Sequence, residues 1–386
     1  MTQITTTPDL ATLCDRLAGE PFICIDTEFM RENSYWPQLC LLQIAGPDGE
    51  GFAVDPLVDG LDFAPLLDLL HKPDVIKVLH AARQDLEIFY NMSGKVPEPL
   101  FDTQVAAMVC GFGEAASYDR LARKLARAEV DKSSRFTDWS KRPLTDRQLN
   151  YALADVEHLP IIYRKLDRQL LDSGRTGWVD EELALLTNPD IYALDPERAW
   201  ERIKTRTVRP RFLAVLKEVA AARERYAQDH DVPRNRVLRD EALLEIAAHE
   251  TATMDELSGI RGVSKGLAAG PFGKALLEAV GHGVAIPETD RPRLAKPPAA
   301  PRGVGPMVDL LKVLLKMRCE ENDVAIKLVA TTADLEQIAA NDKADVAAMH
   351  GWRRTLFGDD ALALKHGQLA MTGENGRIAL VELEEL

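Results

Sequence analysis

Four short apolar runs near the N-terminus, residues 22–26, 39–45, 51–55 and 75–79, set the fold class. Each has strand length, and the first follows directly on Pro21, so all four read as buried strands. Asp48-Gly49 is a turn signal between the second and third, which makes the first three an antiparallel meander. Helical patterns follow at 63–70, 86–92, 103–110, 121–128 and 145–170, the last inside a segment, 144–171, that reads as one long helix. Three strands, a helix, a fourth strand and then helices imply an α/β layered domain on a mixed sheet. With 386 residues the chain has room for two or three domains.

Carboxylates stand where these elements meet the surface. Asp26 and Glu28 end the first strand, where residues i and i+2 share a face. Asp85 begins or just precedes the helix after the fourth strand, at a sheet edge where ligands usually bind. Tyr151 and Asp155 lie one turn apart on the long helix and project together. Taken singly, Asp85 reads as a helix cap and Tyr151 as a half-buried core residue. Taken together, clustered carboxylates suit hard divalent cations, and paired cations can cleave phosphodiesters. His80, near Asp85, either touches the scissile region or is structural, the second being the expectation. Phe29 and Trp36 suit either core packing or stacking on a terminal base. Gln43, inside an apolar run, is expected to hydrogen-bond a neighbouring loop, and Asp102 to cap the helix that starts at Thr103.

The three segments, in this order and spacing, resemble the DEDD exonucleases of the tyrosine-containing branch, most nearly the bacterial ribonuclease D family. Asp26-Thr27-Glu28-Phe29-Met30-Arg31-Glu32 and the run from Tyr35 to Ile44 fit the first motif, Asp85 the second, and Tyr151-x-x-x-Asp155 the third, preceded by Trp139-Ser140-Lys141-Arg142-Pro143-Leu144. The resemblance implies a ribonuclease H-like fold and a metal-dependent 3′-5′ exoribonuclease. It would trim structured RNA with single-stranded 3′ ends, such as tRNA precursors, and release nucleoside monophosphates. Two divalent cations, Mg²⁺ or Mn²⁺, are implied. Asp26 would bridge them, Glu28 and Asp155 would hold the ion beside the attacking water, and Asp85 would support the other. Tyr151, with an ordinary pKa of about 10, suits orienting the water better than deprotonating it. The same chemistry could serve a DNA exonuclease of proofreading or repair type, the alternative reading.

Residues 1–190 are expected to form this exonuclease domain. Residues 205–286 read as a small all-helical unit that resembles the HRDC domain through Arg223-Glu224 and the stretch from Pro233 to Glu241. A Pro-rich linker is expected over 287–304. Over 305–386 a second, diverged HRDC-like unit is expected, in which Arg318-Cys319-Glu320, Asp323-Val324-Ala325 and Ile338-Ala339 echo Arg223-Glu224, Asp231-Val232-Pro233 and Ile246-Ala247. The tail from Arg377 reads as either a short strand or disordered. The net charge of -14 argues against a polyanion partner, although residues 201–240 carry eleven basic residues against six acidic ones, either a phosphate-contacting stripe or an ordinary solvated helix face. Five scattered cysteines, no signal peptide and no apolar run of membrane-spanning length point to a cytoplasmic protein, expected to be monomeric. The glycines between 259 and 273 do not form a P-loop, which excludes a nucleotide-driven motor.

Overall fold

A computed structural model of the chain describes residues 3–131, 134, 137–294 and 303–383. Its first layer is a six-stranded sheet in the order β1-β4-β3-β2-β5-β6. The strands are β1 (Gln3–Ile4), β2 (Phe22–Met30), β3 (Gln38–Ala45), β4 (Gly51–Val54), β5 (Ile76–Leu79) and β6 (Leu100–Asp102). The antiparallel meander is β2-β3-β4, while β5 and β6 run parallel beside β2, and β1 parallel beside β4. The sheet is therefore mixed, as the element order requires. β1 and β6 have two and three residues, too few for a periodic signal.

Helices α1 (Thr7–Leu17), α2 (Ala64–Leu70), α3 (Arg83–Ser93), α4 (Thr103–Val109) and α5 (Tyr118–Leu121) alternate with or follow the strands. The chain past α5 tightens into a π-type turn over Ala122–Ala126. Then come α6 (Asp146–Glu157), α7 (Leu159–Ser173) and α8 (Thr176–Leu186). The single helix expected over 144–171 is two. His158 ends α6 and precedes α7, and Pro160 sits in the first turn of α7. A proline there offers no N–H to the preceding turn and its ring collides with the carbonyl four residues back, so α6 stops. Asp102 caps α4 as expected, accepting from the N–H of Gln104 and Val105.

Beyond a connector, α9 (Pro210–Asp229), α10 (Arg234–Val237), α11 (Asp240–His249), α12 (Met254–Gly259), α13 (Lys265–Ala269) and α14 (Pro271–Ala285) build a helical unit. α14 crosses α9 so closely that a Cβ at Gly283 would lie 2.5 Å from the Val215 Cα. Part of the expected linker, 295–302, lies outside the described residues. A third unit follows with α15 (Gly305–Glu321), α16 (Ile326–Val329) and α17 (Thr332–Ala340). It repeats the second: Asp231 and Asp323 both take positive φ (48° and 52°) after the long helix, and a four-residue helix and a longer one follow. The same offset separates Asp231 from Asp323, Arg234 from Ile326 and Ile246 from Ile338. In that register Arg223 and Glu224 align with Leu315 and Lys316 and not with Arg318 and Glu320, so the repeat has no counterpart of the Arg223–Asp240 and Arg234–Glu224 ion pairs of its twin. The tail is a hairpin of β7 (Leu369–Glu374) and β8 (Arg377–Glu382), turning through Asn375-Gly376 with positive φ at both.

Among the described residues each unit has its own hydrophobic core, and a fourth, smaller cluster of Cys40, Leu41, Ala53, Trp139, Leu149, Ala152 and Leu153 packs α6 onto the sheet. All five cysteines are free and buried, as expected of small apolar residues. Among the described residues no helix is long and apolar enough to cross a membrane.

Candidate metal centre

β2 presents Asp26 and Glu28 on one face, opposite Gln43 and Leu41 of β3. A register shift between Glu28 and Phe29 increases the local twist, a common device beside active sites. α6 lies over this face, close enough that a Cβ at Gly51 would meet Leu153 Cδ2 at 3.2 Å and Val156 Cγ2 at 3.6 Å. Its start is fixed by a reciprocal cap between Thr145 and Gln148. That seating brings Asp155 down onto β2. Ligand oxygens of Asp26, Glu28 and Asp155 lie within 4.8 Å of one another.

Asp85 lies outside the group whose ligand oxygens come within 4.8 Å of one another, yet near enough for its charge to act on Asp26 and Glu28. It occupies the first turn of α3, and Thr27, whose side chain leaves β2 on the face opposite Asp26 and Glu28, donates its hydroxyl hydrogen to Asp85 Oδ1. The turn leading into α3 forces Ala81 to a φ of 57°. Asp102 clamps that turn, its carboxylate accepting from the N–H of Ala81 (3.1 Å) and Ala82 (2.8 Å). Asp102 is thus both a cap and a support for the Asp85 helix.

Four acids in so small a volume cannot all ionise in the bare protein. Burial first, then the charges of Asp155, Asp85 and Glu28, push Asp26 well above the carboxylate range. Burial and then Asp155 and Asp85 push Glu28 up to about 8. Burial raises Asp85 to about 7 against the opposing bond from Thr27. Such a cluster releases protons when divalent cations bind. The donors are carboxylate oxygens, the set that hard divalent cations prefer.

Two cavities open on Asp26, Tyr151 and Asp155. One, of about 370 Å³, is lined also by His80 and Tyr118. The other, of about 430 Å³, is lined also by Glu28, Phe29, Arg31 and Trp139. Phe29 therefore stays at the site, whereas Trp36 turns away and packs against the helical unit's core. His80 is half-buried, bonded to Thr103 Oγ1 at 3.0 Å, and desolvation lowers its pKa. It is structural but also walls the cavity. Tyr118 carries no periodic or motif signal. Its hydroxyl donates to the Ala154 carbonyl at 2.7 Å, and burial with the Asp155 and Asp26 charges raises its pKa. Gln43 departs from expectation, because it is fully buried and neither end of its carboxamide has a partner.

The loop from β2 to β3 also carries the helical unit. Tyr35 is buried in that unit's core, where its hydroxyl donates to Glu224 and accepts from Arg234 Nη2 (3.0 Å). Burial opposes the Glu224 charge, but bonds from Arg234 and Tyr35 hold it below the usual carboxylate value. Asp231 Oδ1 accepts from the N–H of Tyr35 and Trp36, both at 2.9 Å. The basic run over 201–240 is no uniform stripe: Arg223 pairs with Asp240, Arg225 with Glu197, Arg211 with Glu250 and Arg234 with Glu224. Arg202, Arg223 and Arg234 line a cavity of about 420 Å³ between the units that also reaches Arg31.

Comparison with known proteins agrees with this geometry. A 3′-5′ exonuclease family model matches residues 1–171, and an HRDC domain model matches 212–280. The chain is 50% identical to the ribonuclease D of Nitrobacter hamburgensis over 382 residues, covering 99% of this chain and 100% of the relative. It is 51% identical to that of Gluconacetobacter diazotrophicus over 375 residues, covering 97% and 95%. Among solved structures, Escherichia coli RNase D, described as an exoribonuclease involved in structured RNA processing, superimposes with a TM-score of 0.80 at 32% identity, covering 95% of this chain and 98% of that one.

Proposed function

The chain belongs to the ribonuclease D family and is a 3′-5′ exoribonuclease, and on that premise we propose that Asp26, Glu28, Asp85 and Asp155 hold two Mg²⁺ or Mn²⁺ ions that act on the 3′ end of structured RNA, tRNA precursors included. The observation that carries this reading is the convergence of Asp26, Glu28 and Asp155 within 4.8 Å from elements far apart in the chain. Asp26, on which the charges of Asp155, Asp85 and Glu28 all act, would be shared by both ions. Glu28 and Asp155 would complete the position beside the attacking water, and Asp85 would act from the leaving-group side. The cations supply a neutralised phosphate, a water of lowered pKa and a stabilised leaving oxygen.

The protein's own part is placement. Tyr151, one turn before Asp155, would orient the attacking water through its hydroxyl. Trp139, whose ring lies 6.0 Å from that of Tyr151, fixes the wall behind it. Phe29, at the cavity edge, would stack on the terminal base. The exonuclease domain (1–190) would trim the tail while the HRDC domain (205–286) and its diverged copy (305–386), joined by the linker 287–304, grip the body of the RNA. The cavity between the units supports this by its place, since Arg31 lines both it and the cleft of the acidic centre. We assign a monomer. The DNA alternative is not favoured, because the full-length relatives are ribonucleases.

Trimming of a 3′-tailed RNA and its all-deoxy counterpart in Mg²⁺ tests the reading. The RNA should be shortened stepwise to monophosphates and the DNA much more slowly. Asp155→Asn should lose nearly all activity at saturating Mg²⁺. Tyr151→Phe should slow turnover strongly while Mg²⁺ binding persists. Full activity of Asp155→Asn would reject the four-carboxylate site, and unchanged turnover in Tyr151→Phe would reject the water-orienting role.

A further inference from the structure

Gln43 is fully buried, and neither its Oε1 nor its Nε2 meets a hydrogen-bond partner. Buried carboxamides are almost always satisfied, because an orphaned donor or acceptor forfeits its hydration without return. The position could hold leucine, as its neighbours Leu41 and Leu42 do, at less cost.

The sheet register shows what the side chain faces. Gln43 pairs directly with Asp26 across β2 and with Ala53 across β4. Directly paired residues of antiparallel strands share a face with Cβ atoms about 5 Å apart. Around Gln43 on that face stand Leu41 and Ala45 along β3, Cys24 and Glu28 on the diagonal in β2, and Gly51 and Asp55 along β4. Asp55 is engaged by Arg142, which donates to both its carboxylate oxygens at 2.6 and 2.7 Å. The roof is α6, whose fully buried Ala152 offers no polar side-chain atom. The register puts the acids of the metal centre next to the amide, Asp26 directly opposite it, and the same apolar cluster also holds Trp139, whose Nε1 likewise has no partner.

We infer that Gln43 is a positioning residue: with the centre loaded, its Nε2–H would donate to the Asp26 carboxylate and fix the orientation in which that carboxylate holds metal. Its Oε1 would accept from an ordered water at the edge of the cluster. This rests on the metal-site reading above. Partners one step behind a metal ligand typically change affinity 10- to 100-fold when removed.

The test uses the full chain and two substitutions of similar volume, Gln43→Leu and Gln43→Met, the unbranched second serving if the first does not fold. Thermal unfolding is followed in EDTA and then across a Mg²⁺ or Mn²⁺ titration, with Asp155→Asn measured alongside. In EDTA the apolar variants should unfold at the same temperature as the parent or several degrees higher, because an orphaned pair of polar atoms is gone. The metal concentration giving half the thermal shift should rise about tenfold or more. A lower unfolding temperature in EDTA would show that Gln43 has a structural partner and overturn the inference. An unchanged metal midpoint would overturn it equally. If Asp155→Asn keeps the parental metal shift, the metal-site reading itself fails. If Asp155→Asn loses the shift while both Gln43 variants keep it, only the role of Gln43 fails.

Discussion

Replacing Glu28 by glutamine separates what the acidic centre costs from what it does. In the metal-free protein burial and the Asp155 and Asp85 charges raise Glu28 from 4.5 to about 8. A shift of that size corresponds to about 5 kcal/mol against the charged form. The folded carboxyl holds its proton more tightly than the unfolded one. Its contribution to stability is therefore complete below the unfolded value of 4.5 and is lost as the pH rises through about 8. Neighbouring acids share protons and soften the loss, which leaves about 2 kcal/mol at pH 8 as a floor. Glutamine resembles the protonated acid and does not titrate. In EDTA at pH 5, Glu28→Gln should unfold within about 1 °C of the parent. At pH 8 it should unfold about 4 to 8 °C higher, given about 2 to 4 °C per kcal/mol for domains of this size. Saturating Mg²⁺ at pH 8 should then raise the parent and barely move the variant, since binding to the folded state alone stabilises it. Differential scanning calorimetry across that pH range is the assay. Parallel pH profiles for the two proteins in EDTA, or a variant less stable at pH 8, would refute the electrostatic reasoning.

Other consequences can be checked separately. Half-saturating Mg²⁺ for RNA trimming should fall as pH rises from 6 to 8, because Asp85 (about 7) and Glu28 (about 8) must give up protons to bind it; a pH-independent midpoint would contradict the raised values. Tyr35→Phe removes a buried hydroxyl bonded to Glu224, Arg234 and Gln228, and should cost about 1 to 3 kcal/mol in chemical denaturation while leaving cleavage of a dinucleotide near the parental rate. Lys77, fully buried in β5, donates Nζ to the carbonyls of Lys72, Val75 and Glu98, so Lys77→Met should destabilise the exonuclease domain by about 2 to 4 kcal/mol in urea titrations. Trp352→Ala breaks the stack on Trp178 (centroids 4.3 Å, interplanar 9°) that joins the third unit to α8, and hydrogen exchange should rise over α15 to α17 with the metal centre unaffected.

The acidic positions are legible in the amino-acid sequence because each breaks its surroundings. A carboxylate at the end of an apolar run, or one turn after a tyrosine on a helix, is costly to place unless something holds it there. The strand meander is legible for a similar reason, since continuous apolar runs bounded by turn residues leave few other choices. The break at Pro160 and the hairpin at Asn375-Gly376 also have local signals, and a reading led by hydrophobic periodicity overlooks them. Other features have no local signature. Tyr118 opens the short helix α5 after a stretch rich in glycine and alanine, and only tertiary packing brings it against Asp155 and Asp26. The Thr27 bond to Asp85 joins a strand to a helix many residues on. The neutralisation of the basic run by Glu197, Glu224, Asp240 and Glu250 depends on how helices dock, which composition does not record.

Docking also explains why so acidic an enzyme can hold its polyanionic substrate in register with its cations. The loop between β2 and β3 begins right after the strand that carries Asp26 and Glu28. Arg31 in it makes a bidentate ion pair with Glu87 of α3 (2.7 and 2.8 Å), the helix that carries Asp85. Four residues later Tyr35 is buried in the core of the helical unit, with Asp231 holding its backbone. Arg236 donates to Asn33 between them at 2.6 Å. One short segment is thus tied at one end to the acids and at the other to the unit proposed to grip RNA. Arg31 lines both the acidic cleft and the arginine-lined cavity between the units. A backbone held in that cavity would lie at a fixed distance from the scissile bond. A flexible tether would hold substrate near the site without fixing its register, because reach alone does not supply orientation.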